Sequence, residues 1–212
     1  MSTDTEFEKK SINVIVFYLN PPLNAIVISI DEKLSIQALE KKVWYVTTAD
    51  KKTTHIYKST YKRNEILNLY VALEVHLWQV YHKTTERKTR EDFRLYLTYL
   101  LSEYPQDKEI YAIMYNYSPH KNNEDWLKEN FPNVSFHFTP TSASWLNQIE
   151  VWFSILSRHV LKWASFSSVT DIANKIWDYI NHYNNHLAKL FKWVKREVKW
   201  LQIHDTIKNT VI

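Results

Sequence analysis

The sequence contains neither glycine nor cysteine. Average usage of about 7% would supply roughly 15 glycines in a chain of 212 residues. Because glycine is the residue that adopts positive backbone φ angles without steric cost, we predict that such turns fall on Asn or Asp, or are rebuilt. The absence of cysteine excludes disulfides and thiolate metal sites, and it agrees with a reducing compartment.

Long apolar runs and a strong charge of one sign are missing as well. No stretch approaches the roughly 18 to 20 apolar residues of a membrane span, and residues 1–6 are acidic and polar, unlike a signal peptide. The formal charge of +4 and the pI near 9.0 are a mild basic excess that favours an anionic partner. We therefore expect a cytoplasmic, nucleoid-associated protein without membrane contact.

The basic residues are clustered rather than evenly spread. They gather at Lys51–Lys52, at Lys58, at Lys62–Arg63, over 83–90 and over 189–199, where Trp193 is interleaved, with Trp200 directly after. Such stretches could follow a phosphate backbone. Solvated surface lysines are the open alternative.

The hydrophobic pattern predicts alternating strands and helices. The predicted elements are a helix or edge segment over 5–19, a strand over 24–30, a loop or hairpin insert over 33–63, strands over 66–75 and 79–83, a helix over 90–104, a strand over 109–114, a short helix over 122–130, a strand over 134–138, a long helix from about 144 and a final helix over 169–187. This order is that of an RNase H-like α/β fold, a mixed five-stranded sheet with helices on both faces. No composition shift divides residues 1–212, so we predict one domain with residues 1–22 as an N-terminal extension.

Three positions are candidates for site chemistry. Asp31 and Tyr115 follow two buried strands, and Glu150 lies on the flank of an apolar helical stripe. Since neighbouring strands present their carboxyl ends at one rim of a sheet, we expect the three side chains to converge. Taken alone, Asp31 could be an ordinary turn residue and Glu150 a solvated helix acid.

Several longer stretches carry a specific resemblance. The matching stretches are residues 18–22, 31–33, 36–39, 116–121, 137–153 and 182–184. In addition, thirty-four residues separate Tyr115 from Glu150. In these residues and this spacing, the chain resembles the catalytic domain of bacterial insertion-sequence transposases of the mariner superfamily. In that family the last two acids of a catalytic triad are 34 residues apart.

The resemblance implies a function and a set of ligands. Asp31 matches the first triad acid, Glu150 the third, and Tyr115 stands in the place of the second. Such triads bind two Mg²⁺ or Mn²⁺ ions for DNA cleavage and strand transfer. The implied partners are transposon-end and target DNA, a second copy in a homodimer, and a helix-turn-helix recognition region supplied elsewhere.

The tyrosine at position 115 weakens that expectation of activity. A phenol with a pKa of about 10 is neutral at pH 7 and offers one weak oxygen ligand. Neither Asn116 nor His120 is a good replacement, because the strand pleat turns Asn116 away and imidazole suits Mg²⁺ poorly. We predict an impaired transposase, with a non-catalytic nucleic-acid-binding or assembly module as the alternative. An unrelated RNase H-like nuclease would need another acidic cluster, and none is evident.

The remaining aromatic and histidine residues are predicted to be structural. Trp145, Trp152 and Trp177 fall on apolar helical faces and are predicted to be core. His182 and His186 have a zinc-compatible spacing, but without a third ligand they are predicted to be a surface pair. Glycines usual in the family are replaced at 64–65 and at 77–78, so those turns are predicted to change.

Overall fold

The sheet is mixed and has five strands in the spatial order β3-β2-β1-β4-β5. In this computed structural model, residues 4–115 and 124–189 are described. The strands are β1 Ala25–Thr47, β2 Thr53–Glu74, β3 Gln79–Thr85, β4 Glu109–Met114 and β5 Val134–Phe138. β2 runs antiparallel to both β1 and β3, whereas β4 runs parallel to both β1 and β5. The predicted mixed five-stranded sheet is confirmed.

Helices cover both faces of this sheet. They are α1 Phe7–Leu19, α2 Arg90–Ser102, α3 Glu124–Asn130, α4 Ile149–Leu156 and α5 Val169–His182. A 3₁₀ turn over Ser144–Leu146 precedes α4, and π-helical turns over Ser157–Leu161 and Tyr183–Leu187 extend α4 and α5. Local sequence sets the helix starts: Thr89 and Asp92 form a reciprocal capping box before α2, and the Ser168 hydroxyl caps α5.

Strand alternation divides the core between the two faces. Ile28 and Ile30 point toward α2, where they pack with Tyr96 and Leu100. On the opposite face, residues of β1 and β2 pack with α4 and α5 around the fully buried Trp152. α1 adds a third cluster there, with Val14 and Tyr18 against Val27 and Ile113. In the first part of β1, before the register shift that follows Lys33, odd-numbered residues therefore face α1 and α4.

The segment predicted as a loop or hairpin insert is a hairpin. β1 and β2 are 23 and 22 residues long, and they stay paired from Ile28 with Glu74 out to Thr47 with Thr53. Asp31 consequently lies inside β1 rather than at its end. What ends there is the pairing to β4, whose final pair is Ile30 with Met114.

The predictions for individual side chains had mixed outcomes. Trp152 is fully buried, but Trp145 and Trp177 are 69% and 56% exposed, so their assignment to the core was wrong. Periodicity places both residues on an apolar stripe, but no element among the described residues covers either ring fully. His182 and His186 lie on the surface with ring centroids 4.9 Å apart. Asn116, His120, Trp193 and Trp200 lie outside the described residues.

The positive-φ positions differ from the expected residue types. Within the described ranges they are Asn24, Ser35, Lys51, Trp78, Ser142 and Trp163, with φ between 55° and 65°. Only one of the six is an Asn, so the prediction that Asn and Asp would hold these positions was wrong. At 77–78 a tight turn is retained, with buried Trp78 at φ 56°, whereas 64–65 lie within β2. Among the described helices, none has the length and apolarity needed to span a membrane.

Candidate active site at the end of the central parallel strands

Asp31 and Tyr115 directly follow the point where the pairing between the central parallel strands ends. The last pair between β1 and β4 is Ile30 with Met114. By strand alternation Asp31 lies on the side of Ser29, and Tyr115 on the side of Ile113. Both are thus on the face covered by α1 and α4. Asp31 is 9% exposed and Tyr115 is half-buried.

The Asp31 carboxylate accepts hydrogen bonds at both oxygens. The backbone N–H of Glu32 donates to Oδ1 at 2.9 Å, and Nδ2 of Asn147 donates to Oδ2 at a longer 3.4 Å. These donors fix the orientation of the side chain. A largely buried acid is thereby held at the rim of the sheet.

Asn147 joins this strand end to the start of α4. Its Nδ2 also donates to the Ile30 carbonyl at 2.9 Å, and its Oδ1 accepts a hydrogen bond from the Ser29 hydroxyl. The same hydroxyl accepts from the Ile149 N–H at 3.0 Å. We call this set of contacts among Ser29, Asp31, Asn147 and Ile149 the Asn147 latch. Each of its side-chain partners is buried, so the first turn of α4 is fixed against β1.

Sequence reasoning missed Ser29 and Asn147, the two uncharged polar members of this latch. Ser29 was read only as part of an apolar strand, although it is the one polar residue in the run 25–30. A buried hydroxyl needs a hydrogen-bond partner, and that requirement was the available signal. Asn147 lay in the matched stretch 137–153 without an assigned role.

Glu150 lies in the first turn of α4, one turn beyond Asn147. Its N–H donates to the Asn147 carbonyl at 3.1 Å, and its side chain is half-buried. It lines an open groove together with Lys33, Arg158 and Lys162. The latch therefore connects the helix that carries Glu150 to the strand that carries Asp31, and the groove beside Glu150 is basic.

Tyr18 supports the same turn from α1. The Gln148 N–H donates to the Tyr18 hydroxyl oxygen at 3.3 Å. Burial raises the pKa of Tyr18 to about 12, so this phenol is neutral at physiological pH. α1 thus stabilises the position of the α4 start without adding a charge to the site.

The donor set does not fit a two-ion metal centre. Within the parts of the chain that the structure describes, no group of three or more His, Asp or Glu side chains could hold a metal ion. Asp31 and Glu150 supply two carboxylates, and Tyr115 offers a phenol where a third would be required. Both Asp31 oxygens already accept hydrogen bonds from the chain itself.

Comparison with known structures identifies the class of fold. The chain is 12% identical to the catalytic domain of Mos1 mariner transposase, with a TM-score of 0.53 over 87% of this chain and 91% of that one. It is 14% identical to the transposase in a pre-cleavage Mos1 transpososome, with a TM-score of 0.54 and 88% of this chain covered. For a Mos1 paired end complex with Mn the values are 15%, 0.55 and 88%. The sheet order and these similarities define an RNase H-like fold.

The sequence itself identifies the family. The profile described as DDE superfamily endonuclease matches residues 27–173, which is more than half of the chain. The chain belongs to the DDE superfamily endonucleases. It spans 64% and 62% of the transposase chains in the pre-cleavage and Mn complexes. No curated protein matches the sequence.

Proposed function

We propose that this chain is the catalytic domain of a mariner-type DNA transposase of bacterial insertion-sequence descent, impaired in DNA cleavage and strand transfer by Tyr115. The membership of residues 27–173 in the DDE endonucleases supports the reaction class. The fold shared with the Mos1 catalytic domain supports the mariner-type descent. A protein of this class would act on chromosomal DNA, in the cytoplasm and at the nucleoid of a bacterium.

The observation that carries the proposal is the parallel register of β1 and β4, whose last pair, Ile30 with Met114, comes directly before Asp31 and Tyr115. A second acid at position 115 would stand beside Asp31, on the face where α4 supplies Glu150. Three carboxylates at one rim are what paired Mg²⁺ or Mn²⁺ ions need, and such ions activate an attacking oxygen and stabilise the leaving one. With Tyr115 in place, Asp31 and Glu150 would be the only carboxylate ligands, so we expect weak metal binding and little cleavage.

The structures of relatives suggest the partners. The Mos1 transposase has been solved in a transpososome and in a paired end complex with Mn. By analogy we propose that this chain acts on transposon-end and target DNA as a homodimer. A DNA-recognition region supplied elsewhere would select the ends. The basic groove of Lys33, Arg158 and Lys162 beside Glu150 suits a phosphate backbone.

The test is to restore the acid. Tyr115→Asp, assayed for Mn²⁺-dependent nicking and strand transfer on transposon-end DNA with the recognition region supplied in trans, should gain about 100-fold or more over the natural chain, the scale on which one catalytic group acts. Tyr115→Phe is the matched control, because it removes the phenol oxygen without adding a carboxylate, and it should gain nothing. The gain should disappear in Tyr115→Asp combined with Asp31→Asn.

The second candidate function is a non-catalytic nucleic-acid-binding or assembly module that retains the fold. The hydrogen-bonded state of both Asp31 oxygens favours this alternative, since the carboxylate is satisfied without a metal. The same assay separates the two. If the Tyr115→Asp chain folded and bound DNA but had no activity, the transposase proposal would be contradicted. The non-catalytic module would then be the supported function.

A further inference from the structure

Two exposed histidines stand at helical spacing near the end of the described residues. His182 is the last residue of α5, and His186 lies in the π-helical turn Tyr183–Leu187 that extends this helix. Side chains four residues apart lie on the same side of a helix, one above the other. The surface position predicted for the pair therefore leaves both rings accessible to a ligand from solvent.

The distance between the two rings fits two ligands of one zinc ion. The ring centroids are 4.9 Å apart, and the ring planes are inclined by 46°, so the rings are not stacked on each other. Zinc binds imidazole nitrogen at about 2.0 to 2.1 Å in tetrahedral geometry, which places the centroids of two ligating rings roughly 5 Å apart. The pair thus has the separation that chelation requires. It also lies on a π-helical turn, a feature that occurs frequently at functional sites.

The residues around the pair define the kind of site. Tyr183, Asn184 and Asn185 lie between the histidines, so the pair lacks the glutamate base of the His-Glu-x-x-His helix in metalloproteases. Among the described residues, no third His, Asp or Glu joins the pair to complete a metal site. Water would fill the remaining positions of a tetrahedral ion. Such a site binds its ion weakly, on the order of 1 to 100 µM, and stabilises the chain rather than performing catalysis.

The turn between the two histidines is attached to the free edge of the sheet. β3 is an edge strand. The Asn184 side chain pairs with it as a strand neighbour would, because its Oδ1 accepts a hydrogen bond from the Val80 N–H at 2.9 Å and its Nδ2 donates to the Val80 carbonyl at 2.8 Å. The turn closes with a 2.8 Å bond from the Ala188 N–H to the Tyr183 carbonyl. An ion bound by both histidines would span this turn and fix Asn184 against β3.

We propose that His182 and His186 form a chelating site for a transition-metal ion such as Zn²⁺, which fastens the end of α5 to the edge of the sheet. Imidazole ligands suit Zn²⁺, Ni²⁺ and Cu²⁺, whereas Mg²⁺ prefers oxygen ligands. The inference goes beyond the proposed function and does not rest on it, because neither histidine belongs to the Asp31 and Glu150 site.

The experiment measures how Zn²⁺ changes the stability of the full chain. Urea unfolding is followed by tryptophan fluorescence without metal and with free Zn²⁺ at about 100 times the dissociation constant found by calorimetric titration, an excess that raises the ratio of folded to unfolded chain about 100-fold. His182→Gln and His186→Gln each leave one imidazole, which loses the second, intramolecular contact. His159→Gln is the matched control, because it removes an exposed imidazole from the other π-helical turn, Ser157–Leu161.

The natural chain and His159→Gln should show the full gain in Zn²⁺, and Mg²⁺ should give no gain that depends on the two histidines. Each single variant and the double variant should gain less than about 10-fold at the same Zn²⁺ concentration, since loss of one of two ligands weakens binding at least about 10-fold. Without metal, the His182 and His186 variants should unfold at the natural midpoint, because the substituted rings are exposed. Glu150→Gln should retain the gain, as expected for an ion bound away from the sheet rim.

Hydrogen exchange gives a local readout of the same site. Zn²⁺ should slow exchange of the Val80 and Ala188 amides in the natural chain and not in the double variant, because the ion fixes the turn that holds both. A zinc gain that survives in the double variant would overturn the inference, and so would a natural chain that gains nothing from Zn²⁺. Neither result bears on the proposed function, which is tested separately by DNA nicking with Tyr115→Asp.

Discussion

The Asn147 latch gives a sharp prediction about how the site is held together. Asn147→Ala removes the 2.9 Å bond to the Ile30 carbonyl, the 3.4 Å contact to Asp31 and the acceptor of the Ser29 hydroxyl. Two good hydrogen bonds contribute about 1 kcal/mol each, and a buried hydroxyl left without its acceptor adds about 1 kcal/mol or more. The expected loss in the free energy of unfolding is therefore about 3 kcal/mol.

The assay is urea denaturation followed by tryptophan fluorescence, with extrapolation to zero denaturant. Asn130→Ala is the control, because Asn130 is exposed and its Nδ2 bonds only the Trp126 carbonyl of its own helix. It should change stability by less than about 0.5 kcal/mol. If Asn147→Ala behaved like Asn130→Ala, the latch would not stabilise the α4 start, and the reasoning that couples Glu150 to Asp31 would fail.

Three further predictions concern the remainder of the domain. Trp152→Ala should cost about 3 to 5 kcal/mol in denaturant unfolding because that ring is fully buried, whereas Trp145→Ala, at 69% exposure, should cost less than about 0.5. Ser142→Gly should raise the thermal midpoint by relieving a φ of 63°, while Ser154→Gly within α4 should lower it; the opposite order would contradict the strain argument. The hydrogen bond from Lys10 is the chief cause that lowers the carboxyl pKa of Asp4 from its ordinary value of 3.8 to about 2. Ionised Asp4 therefore stabilises the fold fully at pH values above 3.8. That contribution is lost as pH falls from about 4 through 2, and in Asp4→Asn the unfolding midpoint should change less steeply over this interval.

The sequence predicted the parts of the fold that depend on burial. The run 24–30 and the run 109–114 are apolar on both faces, and both are central strands. The outer part of the β1–β2 hairpin could not be bounded in this way, because its residues are held by cross-strand pairing and not by a core. Trp145 and Trp177 were predicted to be core because periodicity places them on an apolar stripe. Periodicity does not indicate whether another element covers that stripe, and both residues are exposed.

The site was predictable in outline and not in its connections. Strand order alone indicates that Asp31 and Tyr115 meet, because parallel strands end at one rim. The hydrogen bonds of Ser29 and Asn147 join residues 118 positions apart in the chain, and no local pattern encodes such a pairing. The positive φ angle of the buried Trp78 is likewise imposed by tertiary packing against the preference of the residue.

The pairing of β1 with β4 also sets the order in which the domain can fold. β1 and β2 form a local hairpin, but Ala25 must find Glu109, which lies 84 residues further on. Contacts of such separation form slowly, because closing the intervening loop costs entropy before any contact repays it. On a ribosome, the rim with Asp31 and Tyr115 cannot exist before β4 has emerged, and Glu150 joins it later still. We therefore expect β1 and β2 to be able to pair on the nascent chain before the candidate active site is assembled.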